Sequence, residues 1–173
     1  MGKPKAVFLD RDGTIIYDVG YPKDPEQVQL LPGVIEALNS LKKHRFKLII
    51  VSNQSGIGRG ILTLNEVEQV NRHVVSILGR NGISIDATYY CPHAPEERCS
   101  CRKPSPEMLL RAAKDLRLDL DRSFLIGDKL SDIEAGKRAG CKTILLGNGI
   151  SGKWNIMPDF IARNWAAILS YIL

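Results

Sequence analysis

The sequence is poor in aromatic residues and has no long apolar run. Aromatic side chains make up 6% of the 173 residues, so we expect aliphatic side chains to form most of the core. No segment approaches the roughly 20 consecutive apolar residues of a membrane-spanning helix, and we therefore expect no membrane partner. The first residues, MGKPKAVFLD, lack the apolar stretch of a secretory signal, which favours a cytoplasmic location.

Charge of one sign is not concentrated anywhere in the chain. Lys and Arg outnumber Asp and Glu by 24 to 19, which gives a formal net charge of +5, but the cations form no basic stripe. We therefore expect no nucleic-acid partner, since a small anionic substrate accounts for the same excess. The length suits one hydrophobic core, and we expect a single domain over residues 1–173 that is a monomer.

Apolar, strand-like runs alternate with amphipathic, helix-like segments. The predicted strands lie at 6–9, 48–51, 85–90, 124–126 and 143–146, and the predicted helices at 33–45, 63–80, 105–116, 132–139 and from about 164 onwards. Strands that are apolar on both faces favour a parallel sheet with helices on both sides. The sequence therefore predicts an α/β fold with a doubly wound parallel sheet of five or more strands, which binds ligands at the carboxyl ends of its strands.

Polar side chains follow three of these strands. Asp10 and Asp12 lie in DRDGT, residues 52–54 open the segment SNQSG, and Asp128 lies in GDKLSD. Each motif alone is also compatible with an ordinary polar turn. If the loops converge, the three carboxylates repel one another without a cation, and their hard oxygens select Mg²⁺. Lys103 then supplies a compact positive charge for a phosphate at the same place.

Three of the four cysteines lie with a histidine in one short stretch. Cys91, His93, Cys99 and Cys101 form the pattern C-x-H-x5-C-x-C. A disulfide or buried thiols are the alternatives, but a C-x-C disulfide is strained and the cytoplasm is reducing. Three thiolates and one imidazole match the ligand set of a structural Zn²⁺, which we expect to fix the position of the next residues, Arg102 and Lys103.

The segments DRDGT, SNQSG, RKP and GDKLSD resemble, in this order, the four motifs of the haloacid dehalogenase-type phosphatases. The resemblance spans roughly residues 5–147 and implies a Rossmann-like core. The short intervals between motifs leave no room for a large cap domain. The cysteine-histidine loop and NQSGIGRG are similar to the heptose 1,7-bisphosphate phosphatase group, of which the histidinol-phosphate phosphatases are close relatives.

The resemblance implies a role for each motif residue. Asp10 would be the nucleophile, and Asp12 the general acid and then the general base. Ser52 and Lys103 would hold the phosphoryl oxygens. Asp10, Asp128 and the backbone carbonyl of Asp12 would bind Mg²⁺.

The resemblance also predicts a substrate-binding surface. Gly20 and Tyr21 are similar to the substrate loop of the group, and Arg102 and Lys129 would grip a distal phosphate. Asn53 and Gln54 are further predicted substrate contacts. We expect removal of the C7 phosphate from D-glycero-D-manno-heptose 1,7-bisphosphate, on the way to nucleotide-activated heptose. Because the short zinc loop also suits a histidinol-phosphate phosphatase, that activity is the alternative. Phosphoryl transfer to an acceptor other than water stays open.

Overall fold

A six-stranded parallel sheet forms the centre of the protein, in a computed structural model that describes residues 2–149 and 155–173. The strands are β1 Ala6–Leu9, β2 Lys47–Asn53, β3 Ala87–Cys91, β4 Phe124–Gly127, β5 Lys142–Leu146 and β6 Phe160–Ala162. Their order across the sheet is β3-β2-β1-β4-β5-β6. The chain moves from β1 outward to β3 and then returns to β4 on the other side of β1. The predicted doubly wound sheet is confirmed, and its switch point lies at the carboxyl end of β1.

Helices cover both faces of this sheet. They are α1 Val34–Lys43, the short α2 Ser55–Gly58, α3 Leu64–Arg80, α4 Glu107–Leu116, α5 Leu130–Ala139 and α6 Trp165–Ile172. Val7 and Leu9 of β1 pack in one buried cluster with α1, α3 and α6, whereas Ala6 and Phe8 pack in another with α4 and α5. Alternate residues of β1 therefore face opposite apolar layers, which explains why its sequence is apolar throughout.

Local signals in the sequence fix several helix ends. Thr63 caps α3 in a capping box with Glu66, as predicted, and Gly140 ends α5 with φ 87°. The predicted start of α4 is wrong by one residue. Pro106 is the N-cap and not the first helical residue, while the Ser105 hydroxyl accepts a hydrogen bond of 3.3 Å from the Glu107 N–H.

Little structure is inserted between β1 and the first helix. The chain there forms isolated bridges at Ile16 and a 3-10 turn at Pro25–Gln27, and no cap domain lies among the described residues of this interval. Within residues 2–149 and 155–173, no helix has the length and apolar character needed to cross a bilayer.

The last helix contacts the loop that follows β1. Trp165, at the start of α6, is 1% exposed, and its indole Nε1 donates a hydrogen bond of 3.0 Å to the Thr14 carbonyl. Asn164 caps α6 by accepting from the Ala167 N–H at 2.9 Å. The interaction connects α6 to the loop that carries Asp10 and Asp12.

Candidate active site and metal centres

The loops after β1, β2 and β4 meet at one edge of the sheet, as the strand order requires. The Asp10 N–H bonds to the Ile126 carbonyl of β4 at 3.0 Å, which fixes the start of the first loop. Gly13, with φ 79°, lies so close to the Asp128 carboxylate that a Cβ atom at this position would overlap it. The close approach of the two loops therefore depends on glycine.

Three carboxylates form an acidic cluster at this edge. Oxygen atoms of Asp10, Asp128 and Asp132 all lie within 4.8 Å of one another. Burial, together with the nearby Asp10, raises the pKa of Asp128 to about 7. Burial also raises the pKa of Asp132 to about 6, although Lys103 opposes the shift. Ionising both Asp128 and Asp132 is therefore costly, and a bound metal cation would lower that cost.

The acidic cluster fits a magnesium ion. Asp128 Oδ1 is buried and has no hydrogen-bond partner among residues 2–149 and 155–173, so it is free to bind a metal ion. Carboxylate oxygens are the ligands that Mg²⁺ prefers. Asp10 and Asp128 were predicted as ligands, but the third carboxylate of the cluster is Asp132, which lies in the GDKLSD motif and was not assigned. The Asp12 carboxylate is not one of these three, and its predicted contribution through the backbone carbonyl stays a prediction.

Lys103 lies beside the acidic cluster and is 2% exposed. Its Nζ is 3.0 Å from Asp10 Oδ1 and 2.6 Å from Asp132 Oδ1, and it donates to the Val51 carbonyl at 2.8 Å. Burial alone would lower the pKa of Lys103, but Asp10 and Asp132 together raise it above its ordinary value. Lys103 is therefore a permanent cation that balances part of the negative charge.

The side chain of Asn53 fixes the backbone of Lys103. Asn53 Oδ1 accepts from the Lys103 N–H at 3.0 Å, and Asn53 Nδ2 donates to the Lys103 carbonyl at 3.0 Å. This paired contact joins the loop after β2 to the segment before α4. Asn53, predicted as a substrate contact, thus has a clear structural role as well.

Asp12 lies in a separate network, with its side chain 13% exposed. Gln54 Nε2 donates to Asp12 Oδ2 at 2.9 Å and contacts the Ser52 hydroxyl at 3.2 Å. The Arg11 guanidinium also contacts the Asp12 carboxylate, with Nη2 at 3.0 Å from Oδ2. Arg11 is 1% exposed and was not predicted, because in DRDGT it resembles a spacer between two acids.

Six of the eight predicted phosphate- and substrate-binding residues line a cavity of about 300 Å³ beside these groups, and Ser52 and Lys103 do not. Its wall includes Gly20, Tyr21, Asn53, Gln54, Arg102 and Lys129, together with Asp12. Asp18 holds this loop in place, since its carboxylate accepts from the Gly20 N–H at 2.9 Å and lies 3.3 Å from Lys129 Nζ. Ser52 is fully buried and does not line this cavity, so its predicted phosphate contact stays a prediction.

The four predicted zinc ligands are brought together. Cys91 Sγ lies 3.0 Å from Cys101 Sγ and 3.4 Å from Cys99 Sγ, and His93 Nδ1 is 3.6 Å from Cys91 Sγ. A tetrahedral Zn²⁺ with bonds of about 2.3 Å to sulfur places the sulfur atoms about 3.8 Å apart. The Cys99–Cys101 pair matches this at 3.7 Å, and the other two sulfur pairs lie closer. All four cysteines of the chain are free thiols. The cluster therefore fits a structural zinc with a complete ligand set.

Backbone hydrogen bonds connect the zinc loop to the residues after β2. The Gln54 N–H donates to the Cys91 carbonyl at 2.7 Å, and the Gly58 N–H donates to the Pro92 carbonyl at 2.8 Å. A Cβ atom on Gly58 would overlap the zinc loop near Ala94. Arg102 Nη1 is 3.4 Å from the His93 carbonyl, so the loop also orients this cation towards the cavity.

Comparison with known proteins identifies several similar sequences. Residues 100–167 match the HAD-hydrolase-like family model. The D-glycero-beta-D-manno-heptose-1,7-bisphosphate 7-phosphatase of Helicobacter pylori (strain J99) is 47% identical over 143 residues, which cover 82% of this chain and 82% of that protein. The D-glycero-D-manno-heptose-1,7-bisphosphate 7-phosphatase of Chlorobaculum tepidum is 39% identical, covering 100% of this chain and 96% of that one.

Solved structures show the same similarity. The D,D-heptose 1,7-bisphosphate phosphatase from B. bronchiseptica, complexed with magnesium and phosphate, has a TM-score of 0.86 and 30% identity over 97% of each chain. A HAD-like phosphatase structure from Mesorhizobium loti has a TM-score of 0.85 and 35% identity, covering 98% of this chain and 86% of that one.

Proposed function

The chain belongs to the haloacid dehalogenase-like phosphatases, in the group of heptose 1,7-bisphosphate phosphatases, and we propose that it hydrolyses the C7 phosphate of D-glycero-D-manno-heptose 1,7-bisphosphate. The observation that carries this proposal is the meeting of Asp10, Asp128 and Lys103 at the carboxyl edge of the sheet, next to a cavity lined by further cations. The identity of the sugar is inferred from the names of the similar proteins.

Asp10 is the proposed nucleophile. Its carboxylate attacks the phosphorus atom, the bond to the sugar oxygen breaks, and an aspartyl-phosphate forms. Lys103, 3.0 Å from Asp10 Oδ1, orients this carboxylate and offsets the charge of the phosphoryl group. Ser52 is proposed to hold a phosphoryl oxygen after a rearrangement of its contact with Gln54.

Asp12 is the proposed proton carrier. It donates its proton to the departing sugar oxygen and is left as a carboxylate. It then accepts a proton from the water that attacks the aspartyl-phosphate, which releases inorganic phosphate and restores Asp10. The hydrogen bond of 2.9 Å from Gln54 to Asp12 supports this role, because it fixes the direction of the carboxylate beside the cavity.

Two metal ions are proposed to support the reaction. Asp10, Asp128 and the backbone carbonyl of Asp12 would hold Mg²⁺, which when bound neutralises charge on the phosphoryl group. Cys91, His93, Cys99 and Cys101 would hold Zn²⁺, with no open position for chemistry. The hydrogen bonds between the zinc loop and the residues after β2 support a purely structural role for this ion.

The distal phosphate at C1 is proposed to bind Arg102 and Lys129. Both line the cavity with Gly20 and Tyr21. A charge-assisted hydrogen bond contributes about 1.5–3 kcal/mol, which corresponds to about 10–100-fold in kcat/KM. The second phosphate therefore provides the basis of substrate selection.

A kinetic panel tests this proposal. We expect kcat/KM for heptose 1,7-bisphosphate to exceed that for heptose 7-phosphate and for histidinol phosphate, and activity to disappear when Mg²⁺ is chelated. Arg102→Gln should lower kcat/KM about 10–100-fold for the bisphosphate and much less for heptose 7-phosphate. A preference for histidinol phosphate would refute the substrate, and equal rates without Mg²⁺ would refute the mechanism. Product analysis with added alcohols separates hydrolysis from phosphoryl transfer.

We propose further that the protein acts as a cytoplasmic monomer of one domain, without a nucleic-acid or membrane partner. The scattered cations of the sequence support this, as does the small cavity that suits a sugar phosphate. Sedimentation at several concentrations tests the oligomeric state.

A further inference from the structure

Arg11 is a buried cation that the proposed reaction does not use. Its guanidinium contacts the side chains of Asp12, Asn71 and Gln54, and in the sequence it stands between the two acids that would carry out the chemistry. A buried arginine requires a full set of acceptors, and these acceptors show what its position controls.

The first contact is with the proposed proton carrier. Arg11 Nε lies 3.2 Å from Asp12 Oδ2 and 3.3 Å from Oδ1, while Nη2 lies 3.1 Å from Oδ1. The guanidinium therefore faces both oxygens of the Asp12 carboxylate. Each donation of a proton leaves Asp12 negatively charged, and Arg11 lies where it neutralises that charge.

The other contacts fix the guanidinium itself. Nη1 donates to Asn71 Oδ1 of α3 at 2.7 Å, and Nη2 donates to Gln54 Oε1 at 3.0 Å. Asn71 is 8% exposed, although it is polar and lies in the middle of a helix. Its carbonyl oxygen thus provides a fixed acceptor from outside the catalytic loops.

The backbone of Arg11 is equally constrained. The N–H groups of Ile15 and Ile16 both donate to the Arg11 carbonyl, at 2.9 and 3.1 Å. The loop therefore holds the main chain of Arg11 while Asn71 and Gln54 hold its side chain. Both Arg11 and Gln54 donate hydrogen bonds to the Asp12 carboxylate, and Arg11 also donates a hydrogen bond to Gln54.

We propose that Arg11 is a positioning residue, anchored on Asn71 of α3, that holds the Asp12 carboxylate in the orientation for proton exchange. This inference rests on the proposed role of Asp12 and not on the identity of the sugar. Arg11 does not line the substrate cavity. It acts only through Asp12, so its removal should affect the steps that need proton transfer and spare those that do not.

The leaving group separates this role from a purely structural one. A primary sugar alkoxide must be protonated as it leaves, whereas p-nitrophenolate leaves without a proton. General acid catalysis contributes about 10²–10⁴-fold, and Arg11→Met should therefore lower kcat/KM about 100-fold for the heptose bisphosphate but less than about 5-fold for p-nitrophenyl phosphate. Asp12→Asn should show the same selective loss.

A second pair of variants tests the anchor and does not depend on the folding of Arg11→Met. Asn71→Leu removes the acceptor on α3, and we expect a selective loss of about 10-fold on the alkyl phosphate. Asn71→Asp keeps an acceptor oxygen and should restore the wild-type ratio of the two substrates. Arg72→Met, on the exposed side of α3, is the matched control and should change neither rate.

Equal losses on both substrates in the Arg11 and Asn71 variants would overturn the inference, because they would indicate a general disturbance of the site. If the wild-type enzyme prefers another primary alkyl phosphate, the substrate assignment fails. The role of Arg11 is then decided by the ratio of kcat/KM for that ester to kcat/KM for p-nitrophenyl phosphate.

Discussion

Replacing Lys103 with methionine tests the electrostatic balance of the candidate active site. Lys103 is the buried cation beside Asp10 and Asp132, with its Nζ 3.0 and 2.6 Å from their oxygens. Methionine keeps most of the length and apolar volume of the side chain but removes the charge. The substitution leaves the Val51 carbonyl without its donor and the carboxylates without their cation.

The expected loss of stability is large. Breaking a buried ion pair by removing one partner costs about 3–5 kcal/mol, because the remaining charge is left uncompensated. For a chain of this size, 1 kcal/mol corresponds to about 2–4 °C in Tm, so we expect Tm to fall by about 6–20 °C. Mg²⁺ should raise the Tm of the variant more than that of the wild type, since a bound cation then offsets the unpaired carboxylates.

The assays are thermal unfolding, which gives Tm, and denaturant unfolding, which gives the free energy of unfolding; both are followed by circular dichroism in EDTA and in Mg²⁺. Lys114→Met, at an exposed position of α4, is the matched control and should change the free energy of unfolding by less than about 0.5 kcal/mol. The double variant Lys103→Met/Asp132→Asn should be more stable than additivity predicts, by about 1–3 kcal/mol. A loss below about 1 kcal/mol for Lys103→Met, or strict additivity in the double variant, would refute the assignment of Lys103 as the balancing cation.

Two further predictions concern regions outside the acidic cluster. Cys99→Ser should abolish zinc binding and lower the free energy of unfolding by more than about 3 kcal/mol. In metal analysis, the control Cys141→Ser should keep one zinc per chain. Zinc retained by Cys99→Ser would contradict the ligand set. Burial alone would raise the pKa of Asp86, but hydrogen bonds from Lys47 and from the Leu48 N–H outweigh it, and the pKa lies below the ordinary value of 3.8. The resulting stability is present above that value and is lost as the pH falls through the folded-state pKa. In urea unfolding, the free energy of unfolding of the wild type should therefore exceed that of Asp86→Asn by about 1 kcal/mol at neutral pH. This difference should shrink below about pH 4. A difference that does not depend on pH would contradict this account.

Much of the architecture could be predicted because the apolar runs of a two-sided parallel sheet are easy to recognise. The strand β6 was not predicted. Phe160–Ala162 is only three residues long, and its pairing with β5 depends on tertiary contacts more than on any local pattern. The start of α4 was misplaced because Pro106 suits both the N-cap and the first helical position.

The candidate site could be predicted only where a motif marks it. The four zinc ligands lie within one short stretch, so their spacing alone revealed them. Arg11 did not stand out, because its significance depends on Asn71, which lies far along the chain on α3. Asp132 was visible in the sequence, but its distance from Asp10 and Lys103 was not.

The hydrogen bond between the Trp165 indole and the Thr14 carbonyl has a practical consequence for altered forms of the chain. A chain shortened before Asn164 would lose the contact of α6 with the loop after β1. The Thr14 carbonyl oxygen would then lose the hydrogen bond that the Trp165 indole donates to it. Affinity tags or fusion partners attached after α6 should therefore be separated from it by a spacer, so that the Trp165 indole keeps its hydrogen bond to the Thr14 carbonyl.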